Sequence, residues 1–276
     1  MKISIVLSPE ESDFSPMFFC GNLEYGIKKA YEYGYDGVEL NIRDSKKINQ
    51  KKIVELTESY NLKVVSFGTG QAYYGDGISL ASSDDKIQKM VLKRIMDHID
   101  FAGKVGAQVV LGSIRGKYST DVSIRKKEEQ KALETVKKCA KYAEDQNIIL
   151  TLEPINKKDT NFINNMDEAI EYKKLIGFEN IKLLADTYQM YPEEKSIEEA
   201  ITKAKNDLVH IHLVDTDRKI PGYGLIDFKS ILKTLIEIEY NGFLSAEIIP
   251  IPNDESAAEE YIKNVRKILA EISRNK

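Results

Sequence analysis

Two kinds of segment alternate along the chain. Short, continuously apolar runs are typical of strands buried on both faces of a parallel sheet, and longer segments with apolar residues every three or four positions are typical of amphipathic helices. The first kind predicts eight strands, over residues 2–7, 37–41, 62–67, 107–112, 148–152, 181–186, 207–213 and 243–248.

Eight amphipathic segments follow these strands in turn. They predict helices over about 22–33, 45–60, 83–105, 122–146, 166–176, 196–205, 227–239 and 255–273. Asn22 and Asp227 are suitable N-caps, and Gly34 and Gly177 are suitable stops. The segment Gly68–Ser83 is rich in Gly, Tyr and Ser and has no period, so it predicts a long loop.

Strict alternation of strands and helices implies a parallel sheet. Eight units closed into a ring form a (β/α)8 TIM barrel, which fits 276 residues as one α/β domain, 1–276. An open doubly wound sheet is the alternative, but it usually has fewer strands and often a Gly-rich phosphate turn after the first strand. The sequence has no such turn, so the barrel is favoured.

Composition and charge narrow the classes of function. A formal net charge of -4 argues against a nucleic-acid binder, and no apolar stretch is long enough for a signal peptide or a membrane span. We therefore expect a cytoplasmic protein that does not bind nucleic acid or membranes. Cys20 and Cys139 lie far apart in no metal or redox spacing and are interpreted as incidental thiols.

Four consecutive predicted strands, the fifth to the eighth, end in a side chain that can bind a metal. These residues are Glu153, Asp186, His212 and Glu247. In a TIM barrel the carboxyl ends of the strands form one rim, where active sites are built. Three carboxylates and one imidazole predict a site for one divalent cation, with Mn²⁺ expected first and Mg²⁺, Co²⁺ or Zn²⁺ as alternatives.

Each of these residues also has a structural interpretation when it is taken alone. A strand-end glutamate is often an ion-pair partner or a loop acceptor, Asp186 is a candidate Asx-turn residue before Thr187, and either His210 or His212 suits a core histidine. His212 is preferred as a ligand because it lies closer to the strand end. The hypothesis depends on the four residues occurring together.

Nearly the whole chain resembles the xylose isomerase-like TIM barrels grouped as sugar phosphate isomerases/epimerases, most closely the ketose 3-epimerases of the D-tagatose and D-psicose type. The segments that carry the resemblance are LEPINKKDTNFINN, ADTYQM, HIHLVDTDRKIPGYGLIDF and AEI. The resemblance implies a metal held by the four residues above. It also implies that Arg218 and Asp159 contact the substrate.

Two positions depart from the epimerase pattern. Those enzymes have DTFH or DTYH where this chain has Asp186-Thr187-Tyr188-Gln189, so Gln189 replaces a substrate-binding histidine. An amide can donate a hydrogen bond to a substrate oxygen but cannot exchange protons near neutral pH. Asp159 is one methylene shorter than the usual glutamate.

The predicted ligand set fits the reaction of that family. A divalent cation that chelates the C2 carbonyl and an adjacent hydroxyl stabilises an enediolate and so acidifies the carbon-bound proton. Glu153 and Glu247, on opposite faces of the substrate, would then act as base and acid and produce an epimer. Return of the proton to the neighbouring carbon would give an aldose–ketose isomerase instead, and the ligand set does not distinguish the two.

Other segments suggest contacts with a ligand. Arg115 and Lys117 follow the fourth strand and are candidates for binding a substrate phosphate or for a solvated loop. Gly222 and Gly224 would let backbone approach a ligand or would shape a turn. The aromatic residues Phe67, Tyr73 and Tyr74 are candidates for the pocket wall.

The leading prediction is thus an isomerase acting on a sugar or sugar phosphate, in an assembly that we expect to be a homodimer or homotetramer. A dehydratase or isomerase of a cyclic polyol would use the same metal and the same proton abstraction. A barrel like endonuclease IV would need more histidines than the three present, His98, His210 and His212. A non-catalytic sugar-binding barrel would be expected to lose one of the two glutamates.

Overall fold

Eight parallel strands close into a barrel in which neighbours in sequence are neighbours in space and the last strand pairs with the first. The structure is a computed structural model that describes residues 1–12 and 16–274, and counts of elements refer to these residues. The predicted (β/α)8 TIM barrel is confirmed. The strands are β1 (Lys2–Leu7), β2 (Gly37–Asn41), β3 (Lys63–Gly68), β4 (Gln108–Leu111), β5 (Leu150–Leu152), β6 (Ile181–Asp186), β7 (Leu208–His212) and β8 (Phe243–Ala246).

Helices surround this barrel, and most of them match the amphipathic segments of the sequence. They are α1 (Leu23–Tyr33), α2 (Gln50–Ser59), α3 (Gly70–Asp76), α4 (Asp85–Val105), α5 (Val122–Glu144), α6 (Met166–Ile176), α7 (Thr187–Met190), α8 (Ile197–Ala204), α9 (Phe228–Glu237) and α10 (Asp254–Arg274). Among these described helices, none has the length and apolarity needed to cross a bilayer. Cys20 and Cys139 are both free thiols.

Several element boundaries differ from the prediction by one or two residues, and larger differences occur before the second helix and after the third strand. The second helix begins at Gln50 instead of Ser45, because the Asn49 side chain caps it by accepting from the Lys52 N–H at 3.1 Å. The segment predicted as a long loop contains α3, which is too short for a helical period to show. The fifth strand begins at Leu150, two residues later than predicted.

The apolar core lies between the barrel and the helices. Phe67, on β3, is fully buried and its ring stacks on Phe101 of α4 with a centroid distance of 4.7 Å. Its side chain therefore packs outward against a helix, and the expectation that it forms part of the pocket wall is wrong.

Inside the barrel, a layer of polar side chains interrupts this apolar packing. Its members, all at most 1% exposed, are Ser4, Glu39, Ser66, His210 and Ser245. Ser4 and Ser245 face each other across β1 and β8, and the pairing of β2 with β3 shifts register at Glu39. Buried polar groups are costly unless they are paired or used, and bulges often re-aim a side chain next to a site. His210 lies two residues before His212, the last residue of β7, so this layer is next to the carboxyl ends of the strands.

Candidate metal and active site

The four residues predicted as metal ligands meet at the carboxyl end of the barrel. Glu153 directly follows β5, Asp186 ends β6, His212 ends β7 and Glu247 directly follows β8. One ligand atom from each lies within 4.8 Å of the others, and all four side chains are buried. The structure therefore contains a candidate divalent-metal site of three carboxylates and one imidazole.

The His212 ring is oriented for ligation through Nδ1. That atom lies 3.4 Å from Glu153 Oε1, 3.6 Å from Asp186 Oδ2 and 3.3 Å from Glu247 Oε2. It is buried and has no hydrogen-bond partner among the described residues. A buried nitrogen that faces three carboxylate oxygens needs a proton or a cation there. The donor set fits a divalent metal.

The charges of the cluster are strongly coupled. Burial raises the pKa of Glu153, and the neighbouring carboxylates of Glu247 and Asp186 raise it further. Burial alone would lower the pKa of His212, but the charges of Glu247 and Glu39 hold it well above its usual value. For Asp186, burial is outweighed by the Arg218 charge, so the pKa is lowered. Positive charge is therefore favoured at the point between the carboxylates.

Glu39, on β2, is a buried partner of both histidines and was missed by the sequence analysis. Its Oε2 lies 2.8 Å from His210 Nε2 and 3.2 Å from His212 Nε2, and it accepts from Ser245 Oγ at 3.1 Å. A carboxylate on one ring nitrogen fixes the tautomer and leaves the other nitrogen for a metal. The signal was present in the apolar run GVELN, whose single acidic residue lies inside the strand and not at its end.

The structure supports both interpretations of Asp186. Its Oδ1 accepts from the N–H groups of Tyr188 at 2.9 Å and Gln189 at 3.3 Å, so it caps α7, while Oδ2 faces His212. Room for the neighbouring Glu153 comes from Gly112, where a Cβ would overlap Glu153 Oε2. The turn that begins at Asp186 and the absence of a Cβ at Gly112 thus let the carboxylates of Asp186 and Glu153 lie close together.

Arg218 reaches the cluster from the loop after β7. Its Nη1 donates to Asp186 Oδ2 at 2.8 Å and to Glu247 Oε2 at 2.6 Å, and its guanidinium lies 4.4 Å from the centroid of the Tyr188 ring. Asp217 and Arg218 both adopt left-handed backbone, with φ of 58° and 55°. Such conformations are rare outside glycine and cluster at functional sites. The strained turn directs the guanidinium at the ligand carboxylates.

The other two predicted substrate-binding residues lie on the rim beside the cluster. Gln189 is buried, and its Oε1 accepts from the N–H of Asn156 at 3.0 Å and from the Asn156 amide. Asp159 is exposed, and its Oδ2 accepts from Asn156 Nδ2 at 3.3 Å. Asn156 therefore ties together the two positions that depart from the epimerase pattern.

The suggested phosphate contact of Arg115 is wrong. The side chain is 1% exposed, and its guanidinium donates to the carbonyls of Leu111, Phe162 and Ile163. A buried guanidinium that donates hydrogen bonds to loop carbonyls stabilises the loop and does not bind an anion at the surface. Lys117 is exposed and donates to the carbonyl of Lys158 at 3.2 Å.

Asp215 explains the two glycines of the loop after β7. Its fully buried carboxylate accepts from the N–H groups of Thr216, Gly222, Gly224 and Ile226. Gly222 has a φ of 95°, and a Cβ at Gly224 would overlap Asp215 Oδ1. The glycines thus close a turn around Asp215.

The remaining residues named from the sequence lie outside the four-residue cluster. Tyr73 and Tyr74, on α3, contact each other edge to face at 5.1 Å, and Tyr74 is 54% exposed. His98 is a core residue whose ring nitrogens contact the carbonyls of Arg94 and Ile42 at 2.9 and 3.0 Å. His210 lies one layer below His212, as a buried partner of Glu39.

Comparisons with known proteins agree with this geometry. Residues 27–268 match the family model described as the xylose isomerase-like TIM barrel. A D-psicose 3-epimerase of Ruminiclostridium cellulolyticum is 28% identical over 227 residues, which are 81% of this chain and 77% of that protein. A fructoselysine 3-epimerase of Shigella flexneri is 23% identical over 277 residues, 94% of this chain and 99% of that protein.

A solved structure extends the likeness to the fold. The D-allulose 3-epimerase from Methylomonas sp. in complex with D-allulose superimposes with a TM-score of 0.79 at 21% identity, covering 96% of this chain and 97% of that one. These relatives are epimerases by name, so the resemblance to ketose 3-epimerases and the expected enzyme class, an isomerase, are confirmed. The chain belongs to the xylose isomerase-like TIM barrel family.

Proposed function

We propose that this chain is a divalent-metal-dependent ketose 3-epimerase. The observation that carries the proposal is the cluster of Glu153, Asp186, His212 and Glu247, in which the unpartnered Nδ1 of His212 faces three carboxylates. The relatives named as D-psicose and fructoselysine 3-epimerases support the reaction class. We assign Mn²⁺ as the first candidate ion, because oxygen-rich sites with one imidazole suit it.

The separate strands that carry Glu153 and Glu247 support our assignment of these residues to proton transfer on two faces of the substrate. They follow β5 and β8, so two strands separate them along the rim, and each carboxylate lies within 3.4 Å of His212 Nδ1. One carboxylate removes the proton from C3 of the ketose, and the other, in its protonated form, returns a proton to the opposite face. When bound, the cation supplies Lewis acidity to the substrate carbonyl and so acidifies that carbon-bound proton.

Three further residues position the substrate in this proposal. Arg218 carries donors only, so its guanidinium binds substrate oxygens and not the metal. Because Asn156 occupies Oε1 of Gln189, we assign Nε2 of Gln189 to a substrate hydroxyl. Asp159 accepts a hydrogen bond from the end of the substrate that contacts Gln189.

The test is a substrate panel with two active-site variants. Purified protein with saturating Mn²⁺ is incubated with free and phosphorylated ketoses, and products are separated by chromatography. We expect the 3-epimer from wild type, and a fall in turnover of roughly 10² to 10⁴ for both Glu153→Gln and Glu247→Gln. Glu171→Gln, on the outer surface of α6, is the matched control.

Two results would overturn the assignment. Near-native turnover of either variant at saturating Mn²⁺ would reduce that glutamate to a ligand. An aldose as the main product of wild type would replace the epimerase by an isomerase.

A further inference from the structure

A cavity lies beside the cluster of Glu153, Asp186, His212 and Glu247, at the same end of the barrel. Its volume is about 560 Å³, within the usual range for a small-molecule site, and its walls come from the loops after β5, β6 and β7. These are the loops that follow Glu153, Asp186 and His212. The principal lining residues are Asn156, Lys158, Tyr188, Tyr191, Tyr223 and Leu225.

Two wall residues of the cavity contact the predicted substrate-binding residues beside the cluster. The ring of Tyr188 lines the cavity and also carries the guanidinium of Arg218, which donates to the cluster carboxylates. Asn156 lines the cavity and holds Gln189 in place. A substrate that contacts Arg218 and Gln189 with its reacting end therefore has this cavity as its neighbour.

Exposed apolar surface marks the cavity as incomplete without an occupant. Tyr191 is 44% exposed, Tyr223 54% and Leu225 76%. Single exposed apolar residues are ordinary, but a group of them around one concave surface is typical of a binding site. The loop that carries Tyr223 and Leu225 is also built precisely, because the four N–H groups bound by Asp215 fix it.

The aromatic and neutral polar side chains of the walls suit a polyhydroxylated ligand. Two lysines, Lys158 and Lys219, also line the cavity, and Lys219 is paired with Asp217 at 3.2 Å. Three tyrosine rings offer flat apolar faces, and Thr216 adds a neutral hydroxyl group. Aromatic faces with a few polar groups suit the apolar and hydroxylated sides of a sugar ring.

We infer that the cavity binds a second sugar unit, so that the preferred substrate is a ketose disaccharide whose ketose end reaches the metal cluster. This inference rests on the proposed epimerase function and narrows its substrate class.

The experiment compares isomaltulose and lactulose, two ketose disaccharides with different linkages, with D-fructose and D-fructose 6-phosphate. We expect at least one disaccharide to be epimerised with a kcat/KM above that of both other sugars. Tyr191→Ala and Leu225→Ser should lower that kcat/KM about tenfold while changing the value for D-fructose less than twofold. Tyr31→Ala, an exposed tyrosine at the end of α1 that leads into β2, is the matched control.

Ligand-observed NMR separates failure of the cavity from failure of the epimerase. Saturation transfer to the glucosyl ring of isomaltulose should occur with wild type and disappear with Tyr191→Ala, whether or not turnover occurs. The inference would be overturned if the protein epimerised D-fructose but showed neither saturation transfer to the disaccharides nor turnover of them. The proposed epimerase function would then still hold. A preference for D-fructose 6-phosphate, or equal losses on D-fructose and the disaccharide, would also overturn it.

Discussion

The carboxylate of Glu39 sets the orientation of both imidazoles inside the barrel. It contacts Nε2 of His210 and Nε2 of His212, and burial of the Glu39 side chain is offset by the charges of the two rings, which hold its pKa well below the usual range. The carboxylate is therefore ionised and accepts from both rings. In the proposed metal site, His212 would then bind the cation through Nδ1.

Replacing Glu39 by glutamine should weaken metal binding without removing a ligand. The amide carries no negative charge and so holds the two ring N–H groups more weakly than the carboxylate does, and we expect the affinity for Mn²⁺ to fall roughly 10- to 100-fold. Isothermal titration measures it. Glu128→Gln is the control, because Glu128 is a buried glutamate that accepts from the Ser119 N–H on the outside of the barrel. Unchanged affinity would show that Glu39 has no part in orienting His212.

Arg218→Lys should separate substrate binding from metal binding. Lysine keeps one positive charge but loses the planar fork and the stacking on Tyr188. We expect kcat/KM to fall at least tenfold while the protein retains its full complement of metal. Metal analysis and kinetics on the same preparation measure both quantities. A variant that lost its metal would place Arg218 among the groups that hold the site together.

At the scale of elements, the loop after β7 is organised by one carboxylate. Removing the Asp215 side chain leaves the N–H groups of Thr216, Gly222, Gly224 and Ile226 without their acceptor. Asp215→Ala should therefore lower the free energy of unfolding by about 3 kcal/mol, which urea denaturation measures. Glu179→Ala removes a carboxylate that is 95% exposed and is the control. A loss below about 0.5 kcal/mol would contradict this role.

Elements with a clear period or a charged strand end could be predicted from the sequence. The barrel followed from the alternation of segments, and the four residues of the candidate metal cluster followed from the polar ends of β5 to β8. The short helix α3 could not be predicted, because seven residues that include two glycines carry no helical period. Arg115 was misread because loop position alone does not show that buried carbonyls converge on a side chain.

Glu39 shows a second reason why prediction stopped short. A buried charge in the middle of a strand is costly, so such a residue is not expected to support a site at the strand ends. Glu39 has this position in β2. Its partners, His210 and Ser245, lie 171 and 206 residues away in the sequence. Only closure of the barrel brings them together.

At the scale of the whole molecule, metal and protons compete for the same point. In the metal-free protein the pKa of His212 is raised, so His212 stabilises the folded state at low pH, and this stabilisation is lost as pH rises through the raised pKa. A cation at Nδ1 displaces that proton. Metal should therefore stabilise the protein more at higher pH.

Thermal unfolding with and without Mn²⁺ tests this competition. We expect the increase in Tm caused by 1 mM Mn²⁺, a concentration of order 10² times an assumed Kd of about 10 μM, to be larger at pH 8 than at pH 5.5. The Asp186→Ala variant, which lacks one ligand, should show little increase at either pH. An increase that is equal at both values, or larger in acid, would contradict the proton competition.

The most direct test of the account is the fate of one carbon-bound proton. Wild-type protein with saturating Mn²⁺ is incubated with D-fructose in D₂O, and the sugars are followed by NMR. We predict the 3-epimer together with deuterium at C3 of the sugar pool, because the carboxyl groups of Glu153 and Glu247 would exchange their protons with solvent. Deuterium at C1 with an aldose product, or no exchange at C3 in the metal-loaded protein with any ketose or ketose disaccharide, would contradict it.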